Sequence, residues 1–211
     1  MDQPDPATPA PSPVPGPVPG EVIILTGPPG AGKTTVARAL ADRHALSVHL
    51  HGDDFWHAIR RGRLAPYLPE AHRQNQVVIE VLAGAAFGYA AGGYRVICDG
   101  IVGPWFLDAF RASARARGIL LHYVVLRPDL DTTLRRAVAR GRRGGAPPHH
   151  DASSDPALRD PAPIRALYRQ FAGIAELEAH SLDTTRLTVA ETVDAVERGL
   201  DAAAYLIVAR G

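Results

Sequence analysis

The chain has 211 residues, 46% of them hydrophobic and 21% charged, and a formal net charge of +1. That is enough apolar material for one α/β domain with a real core, and the near-neutral balance gives no electrostatic case for a nucleic-acid or membrane partner. The single cysteine, Cys98, excludes an internal disulfide framework, suits a reducing cytoplasm and, lying in an apolar run, reads as a small buried hydrophobe.

Residues 1–20, MDQPDPATPAPSPVPGPVPG, carry proline at almost every second position. Proline removes backbone donors and favours extended conformations, so the segment reads as a disordered tail. It lacks the basic start and continuous apolar centre of a secretory leader, and no apolar run in the chain approaches the ~20 residues of a membrane span. The folded domain is expected over 21–211.

Glu21-Val-Ile-Ile-Leu-Thr26 is a short β-branched run ending in glycine and predicts a buried parallel strand. Apolar residues at helical spacing follow from Lys33 to His44. Ser47-Val-His-Leu50 predicts a second strand, with the loop His51-Gly-Asp-Asp-Phe-Trp56 after it. A long alanine-rich helix is expected over 70–91, stopped at Gly92-Gly93. Tyr94 to Asp99 predicts the third strand, 104–117 a helix with Pro104 in its first turn, and Ile119 to Leu126 the fourth strand, ended by a structural turn at Arg127-Pro128. An amphipathic helix with a basic end is expected over 129–140. Residues 141–160, rich in Gly, Pro, His and Ser, read as a mobile flap. Helix over 164–180, a fifth short strand at 181–183 and a last helix over 189–208 complete the chain. Strands alternate with helices throughout, which predicts an α/β fold of three layers, a five-stranded parallel sheet covered by helices on both faces.

Gly27-Pro28-Pro29-Gly30-Ala31-Gly32-Lys33-Thr34-Thr35 fits G-x-x-x-x-G-K-[ST] at every position and lies between a predicted strand and a predicted helix. Glycines let the backbone curl and turn its N–H groups onto phosphate oxygens, and the helix that opens at Lys33 adds its positive end. Thr34 offers a hydroxyl to Mg²⁺, and Lys33 reaches toward the β- and γ-phosphates of ATP. Lys33 is the only lysine, all other basic residues being arginine. A planar guanidinium fork does not replace a compact ammonium inside a tight loop. Asp99, at the end of the apolar run Val96-Ile-Cys, is placed to hold the Mg²⁺ shell; its plainer alternative is a strand-end turn with Gly100.

The loop after strand two lies at the carboxyl edge of the sheet, beside the phosphate loop. A carboxylate there can take the proton of an acceptor hydroxyl as that oxygen attacks the γ-phosphate. Adjacent carboxylates in an extended segment face apart, so Asp53 is read as the base and Asp54 as a helix cap or metal-shell helper. The plainer alternative makes either one the N-cap of a helix over 55–60. Phe55, Trp56, Tyr67, Trp105 and Phe106 lie near loop edges and point to a partly apolar, ring-bearing substrate, with core packing the competing use. Arg73 and Gln76 share a helical face that would reach the same substrate, or simply solvent.

GPPGAGKTT, HGDDF after strand two, VICDG, and the arginines after strand four together resemble the small kinases of the P-loop superfamily. Chloramphenicol phosphotransferase-like and zeta-toxin-like kinases are the families named by this resemblance, with gluconate kinase a further relative. It implies that Asp53 acts on the acceptor hydroxyl, and that Arg135, Arg136, Arg140, Arg142 and Arg143 belong to a lid, about 141–160, closing over ATP. Arg136 and Arg140 are the candidates to stabilise the transition state. DGIVGPWF departs from gluconate kinase, and no zinc-type lid of adenylate kinase is present. The resulting expectation is an ATP- and Mg²⁺-dependent kinase of a hydroxylated small molecule, an antibiotic or nucleoside-like natural product first. The alternatives are a nucleotide-dependent protein that sequesters a ligand, and a toxin-type kinase of a nucleotide sugar.

Overall fold

The computed structural model describes residues 18–142, 161–173 and 175–208. The proposed tail up to Pro17 and the flap from Arg143 onward therefore lie outside the described residues. Gly20 already docks, its N–H donating to the Ala90 carbonyl.

Six strands form one sheet: β1 (Glu21–Thr26), β2 (Ser47–His51), β3 (Arg95–Asp99), β4 (Leu120–Leu126), β5 (Ser181–Leu182) and β6 (Leu206–Val208). The order is β2-β3-β1-β4-β5, all parallel, with β6 antiparallel to β4. The helices are α1 (Lys33–Ala41), α2 (Gly52–His57), α3 (His72–Ala91), α4 (Leu107–Arg117), α5 (Leu130–Arg142), α6 (Pro161–Ala172) and α7 (Val189–Asp201). Short 3-10 turns lead into α3 and α4, and a third runs from Ala175 to His180.

Both faces of the parallel strands are apolar, which explains why they read as continuous hydrophobic runs rather than alternations. Val22, Ile24, Val96, Cys98, Leu121 and Tyr123 pack against Leu82, Phe87 and Phe110 of α3 and α4. Ile23, Leu25, Ile97, Val124 and Leu126 pack on the opposite face against Val36, Leu40, Val193 and Val196 of α1 and α7. Cys98 is buried as expected, and burial pushes its thiol pKa up, away from reactivity. The expected three-layer α/β architecture is thus observed, with one strand more than the sequence predicts.

Two expected helices are corrected. The segment read as helix over 164–180 ends at Ala172, and the chain turns at Gly173 before the 3-10 turn. The segment read as helix over 189–208 leaves the helix at Asp201, turns through Ala203 at φ 54°, and pairs as β6. The reason lies in β4. The two-residue β5 covers this edge only at Val125 and Leu126, and β6 covers it further back, at Leu121 and His122. Closing an open sheet edge outweighs one alanine in the left-handed region.

The start of α7 carries a capping box: Thr188 Oγ1 accepts from Glu191 N–H, and Glu191 accepts from Thr188 N–H. Thr188→Ala is expected to cost about 1 kcal/mol of stability, read as a lowered urea midpoint with unchanged slope.

Candidate active site

The phosphate-loop candidate connects β1 to α1. Gly27, Gly30 and Gly32 all have positive φ. Gly30 is closely packed: a Cβ there would lie 2.5 Å from the Thr133 carbonyl oxygen and 3.0 Å from Ala137 N, so α5 rests directly on the loop. Gly27 to Ala31 are buried, whereas Thr35 is exposed. Unlike α7, α1 has no side-chain cap and no acidic residue in its first turn, so its N-terminal amides are offered to an anion. Lys33 Nζ donates to the carbonyls of Gly27 and Pro28, both at 3.1 Å, which holds the ammonium against the loop. Curled amides, an open helix start and an ammonium are a donor set that fits a triphosphate.

Asp99 is fully buried at the end of β3. Its Oδ2 accepts from Thr34 Oγ1 at 2.6 Å, bringing together the two residues assigned to the metal shell. A hydroxyl and a carboxylate at the foot of the loop fit a divalent ion.

Two histidines to which the sequence reading gives no role, one of them the first residue of HGDD, complete this corner. His49 Nε2 lies 2.6 Å and His51 Nδ1 3.0 Å from Asp99 Oδ1. The register pairs His49 with Ile97 and His51 with Asp99. All four residues therefore face the α1 side of the sheet, where Thr34 stands. Burial by itself would raise the Asp99 pKa, but the hydrogen bonds from His49, His51 and Thr34 outweigh it and hold the carboxyl well below the usual range. The hydrogen bond to Asp99 in turn raises the His51 pKa. The signal is present in the sequence as H-x-H: two residues apart on a strand is one face.

The HGDD segment is helical from Gly52, not extended. Gly52 is required by close approach, since a Cβ would lie 2.9 Å from the Asp99 carbonyl oxygen. Asp53 Oδ2 lies 3.7 Å from His51 Nε2, and desolvation raises its pKa against the opposing charges of His51 and Lys33. Asp53 thus belongs to the same electrostatic cluster as the loop. Asp54 is exposed in the first turn of α2, where the N-cap position belongs to His51, so its reading as a helix cap is corrected.

The aromatic candidates divide. Trp56 is a core residue, 8% exposed, its indole N–H donating to Asn75 Oδ1 at 2.8 Å; its assignment to the substrate is corrected. Phe55 is half-buried against the same core. Trp105 and Tyr67 are exposed, and the Trp105 ring stands 6.4 Å from that of Phe171. Arg73 and Gln76 are exposed on α3, while the neighbouring Gln74 and Asn75 bond Leu64 and Pro66 and fasten the preceding loop. Arg127, read as a structural turn, is tied to Glu178.

Of the arginine group, Arg135 is exposed and donates to Thr132 Oγ1 of its own helix. Arg136 is half-buried on α5, beside Ala137, which touches Gly30. Arg140 lies one turn further along α5; its side chain, and the proposed flap beyond Arg142, lie outside the described residues.

A family model described as "AAA domain" matches residues 22–155. The chain belongs to this family. No curated protein matches it in sequence. Among solved structures, the tunicamycin resistance protein of Deinococcus radiodurans is similar at 20% identity and a TM-score of 0.57, over 89% of this chain and 98% of that one. A gluconokinase from Sinorhizobium meliloti 1021 has 20% identity and a TM-score of 0.59, over 88% and 94%. The shikimate kinase of Acinetobacter baumannii has 22% identity and a TM-score of 0.53, over 87% and 94%. At these identities the likeness establishes the fold. This AAA-domain protein therefore has the fold of the P-loop small-molecule kinases, the superfamily its motifs resemble. Among the described residues no helix is long and apolar enough to cross a membrane.

Proposed function

We infer that this AAA-domain protein is an ATP-dependent phosphotransferase that moves the γ-phosphoryl group to a hydroxyl of a small molecule. The observation that carries the reading is the position of Asp53, coupled to Lys33 and 3.7 Å from His51, at the same sheet edge as the phosphate loop. A carboxylate at this position can take the proton of an attacking hydroxyl, the step that transfer to an acceptor requires.

In this reading the amides of residues 27–35 and the Lys33 ammonium bind and orient the β- and γ-phosphates. Thr34 and Asp99 hold Mg²⁺, which, when bound, neutralises charge on those phosphate oxygens. Asp53 accepts the proton of the acceptor hydroxyl. Desolvation raises its pKa, which makes it a stronger base than an ordinary aspartate. Arg136, beside the helix residue that touches Gly30, stabilises charge spreading over the transferred group; Arg140 is the second candidate. Phe55 and Trp105 would border the acceptor, with Arg73 and Asp54 at its polar rim. An antibiotic or nucleoside-like natural product is the proposed acceptor class, supported by the exposed Trp105 ring and by a structural neighbour that is a tunicamycin resistance protein.

A mass-spectrometric screen with ATP and Mg²⁺ over hydroxylated antibiotics, nucleosides, sugars and sugar acids tests this. The expected result is one acceptor gaining about 80 Da, one phosphoryl group, with matching ADP release. ATP hydrolysed without any acceptor gaining mass, or a ligand held unmodified, would replace the kinase with a sequestering protein. A gain on a nucleotide sugar, with growth arrest on expression, would move the acceptor class to the toxin-type reading.

A further inference from the structure

The Thr34–Asp99 pair alone suffices for magnesium, which prefers oxygen donors, keeps several waters and makes poor use of imidazole. This chain places two imidazoles on the same carboxylate oxygen. One ligand atom from each of His49, His51 and Asp99 lies within 4.8 Å of the others, and His49 Nε2 and His51 Nδ1 contact Asp99 Oδ1 at 2.6 and 3.0 Å. A first-row ion at about 2.0–2.2 Å from each donor holds its donors roughly 3–3.5 Å apart, so a small readjustment of this cluster would accept one. The donors sit on adjacent paired strands, and the rings are only 17% and 14% exposed at their side chains, so the set is built into the sheet. The other nitrogen of His51 faces the Asp53 carboxylate at 3.7 Å, the kind of outer partner that orients a metal-bound imidazole.

We propose that His49, His51 and Asp99 form a transition-metal site that takes one divalent ion of the manganese, cobalt or zinc class on two imidazole nitrogens and a carboxylate oxygen, without nucleotide. Such an ion replaces the ring protons now shared with Asp99. It stands between Thr34 at the phosphate loop and Asp53, and so ties metal identity to the alignment of nucleotide and acceptor. Where the ion acts rests on the proposed function; that it binds does not. The competing role, imidazoles that merely orient Asp99 for magnesium, makes a different prediction for affinity.

The test uses tag-free, nucleotide-free protein. Titration with Co²⁺ and Zn²⁺ should give one ion per chain, a visible d–d spectrum with nitrogen ligation for Co²⁺, and no displacement by excess Mg²⁺. The wild-type chain loaded with Mn²⁺ should show directly bound nitrogen by electron spin-echo spectroscopy, a measurement that needs no variant. His49→Ala and His51→Ala should each weaken Zn²⁺ binding by more than about 100-fold, beyond the roughly 10–100-fold that losing an outer partner costs. A His149→Ala/His150→Ala chain, lacking the adjacent histidine pair elsewhere in the sequence, should keep the ion. Absence of a stoichiometric ion, absence of nitrogen coupling, a loss within the outer-partner range, or loss of the ion in the 149/150 variant would each overturn the site. A chain that binds the ion but phosphorylates nothing removes the proposed function alone. One that phosphorylates an acceptor with Mg²⁺ and shows no nitrogen-bound metal removes this inference alone.

Discussion

Lys33→Ala is expected to lower phosphoryl transfer by about 10³-fold or more and to remove the stabilisation that ATP confers on the wild-type chain. The ammonium is the only lysine charge in the protein and is held against the Gly27 and Pro28 carbonyls. Without it, the loop keeps its amides but loses the cation that faces the most highly charged part of the ligand. Thermal melts with and without ATP check this. At 100 times its dissociation constant a ligand stabilises by about 2.7 kcal/mol, an upward shift the variant should lack. Lys33→Arg should not restore transfer, because a planar fork does not replace a compact ammonium held against the Gly27 and Pro28 carbonyls. Full ATP-induced stabilisation in Lys33→Ala would remove the loop from the nucleotide site.

Asp53→Asn should lower transfer by about 10²–10⁴-fold while leaving the ATP-induced melting shift intact. The substitution keeps the shape of the side chain and removes its basicity. A base works ionised, so the wild-type rate should fall as pH drops through the Asp53 pKa. Desolvation raises that pKa, so the acid limb lies above the ordinary value of 3.8, and the variant should lack it. The stability consequence has the opposite sense. A carboxyl whose folded pKa exceeds its unfolded one binds its proton more tightly when native, and its contribution is lost as pH rises through the folded value. Asp53→Asn should therefore be neutral or stabilising at pH 7 by chemical denaturation. Near-normal turnover in this variant would show that Asp53 is not the base.

The parts of the site legible in the sequence are those made by consecutive residues. Gly27 to Gly32 specify a loop by glycine placement, the apolar spacing after Lys33 specifies a helix start, and Asp99 is marked by the apolar strand it ends. Asp53 is legible at the right edge of the sheet but in the wrong local conformation: the aspartates lie inside α2, because Gly52 lets the helix begin against the Asp99 carbonyl. Trp56 resembles a pocket residue because a tryptophan beside a loop carries no mark of which side it faces. The Asn75 side-chain oxygen that receives its N–H decides that. β6 is illegible for a different reason. The segment 202–205 has no glycine or proline to stop a helix, and the turn at Ala203 forms because β4 leaves an edge to be covered.

The sequence by itself determined the α/β alternation, the phosphate loop and the identity of its one ammonium, since each depends on neighbours along the chain. Tertiary structure alone decided that His49, His51, Thr34 and Asp99 meet, that Asp53 joins them through His51, and that α5 rests on Gly30 through Thr133 and Ala137. Apart from the approach of Asp53 to His51, these contacts join segments far apart in the chain. They are fixed by strand register and helix packing, which local periodicity does not encode.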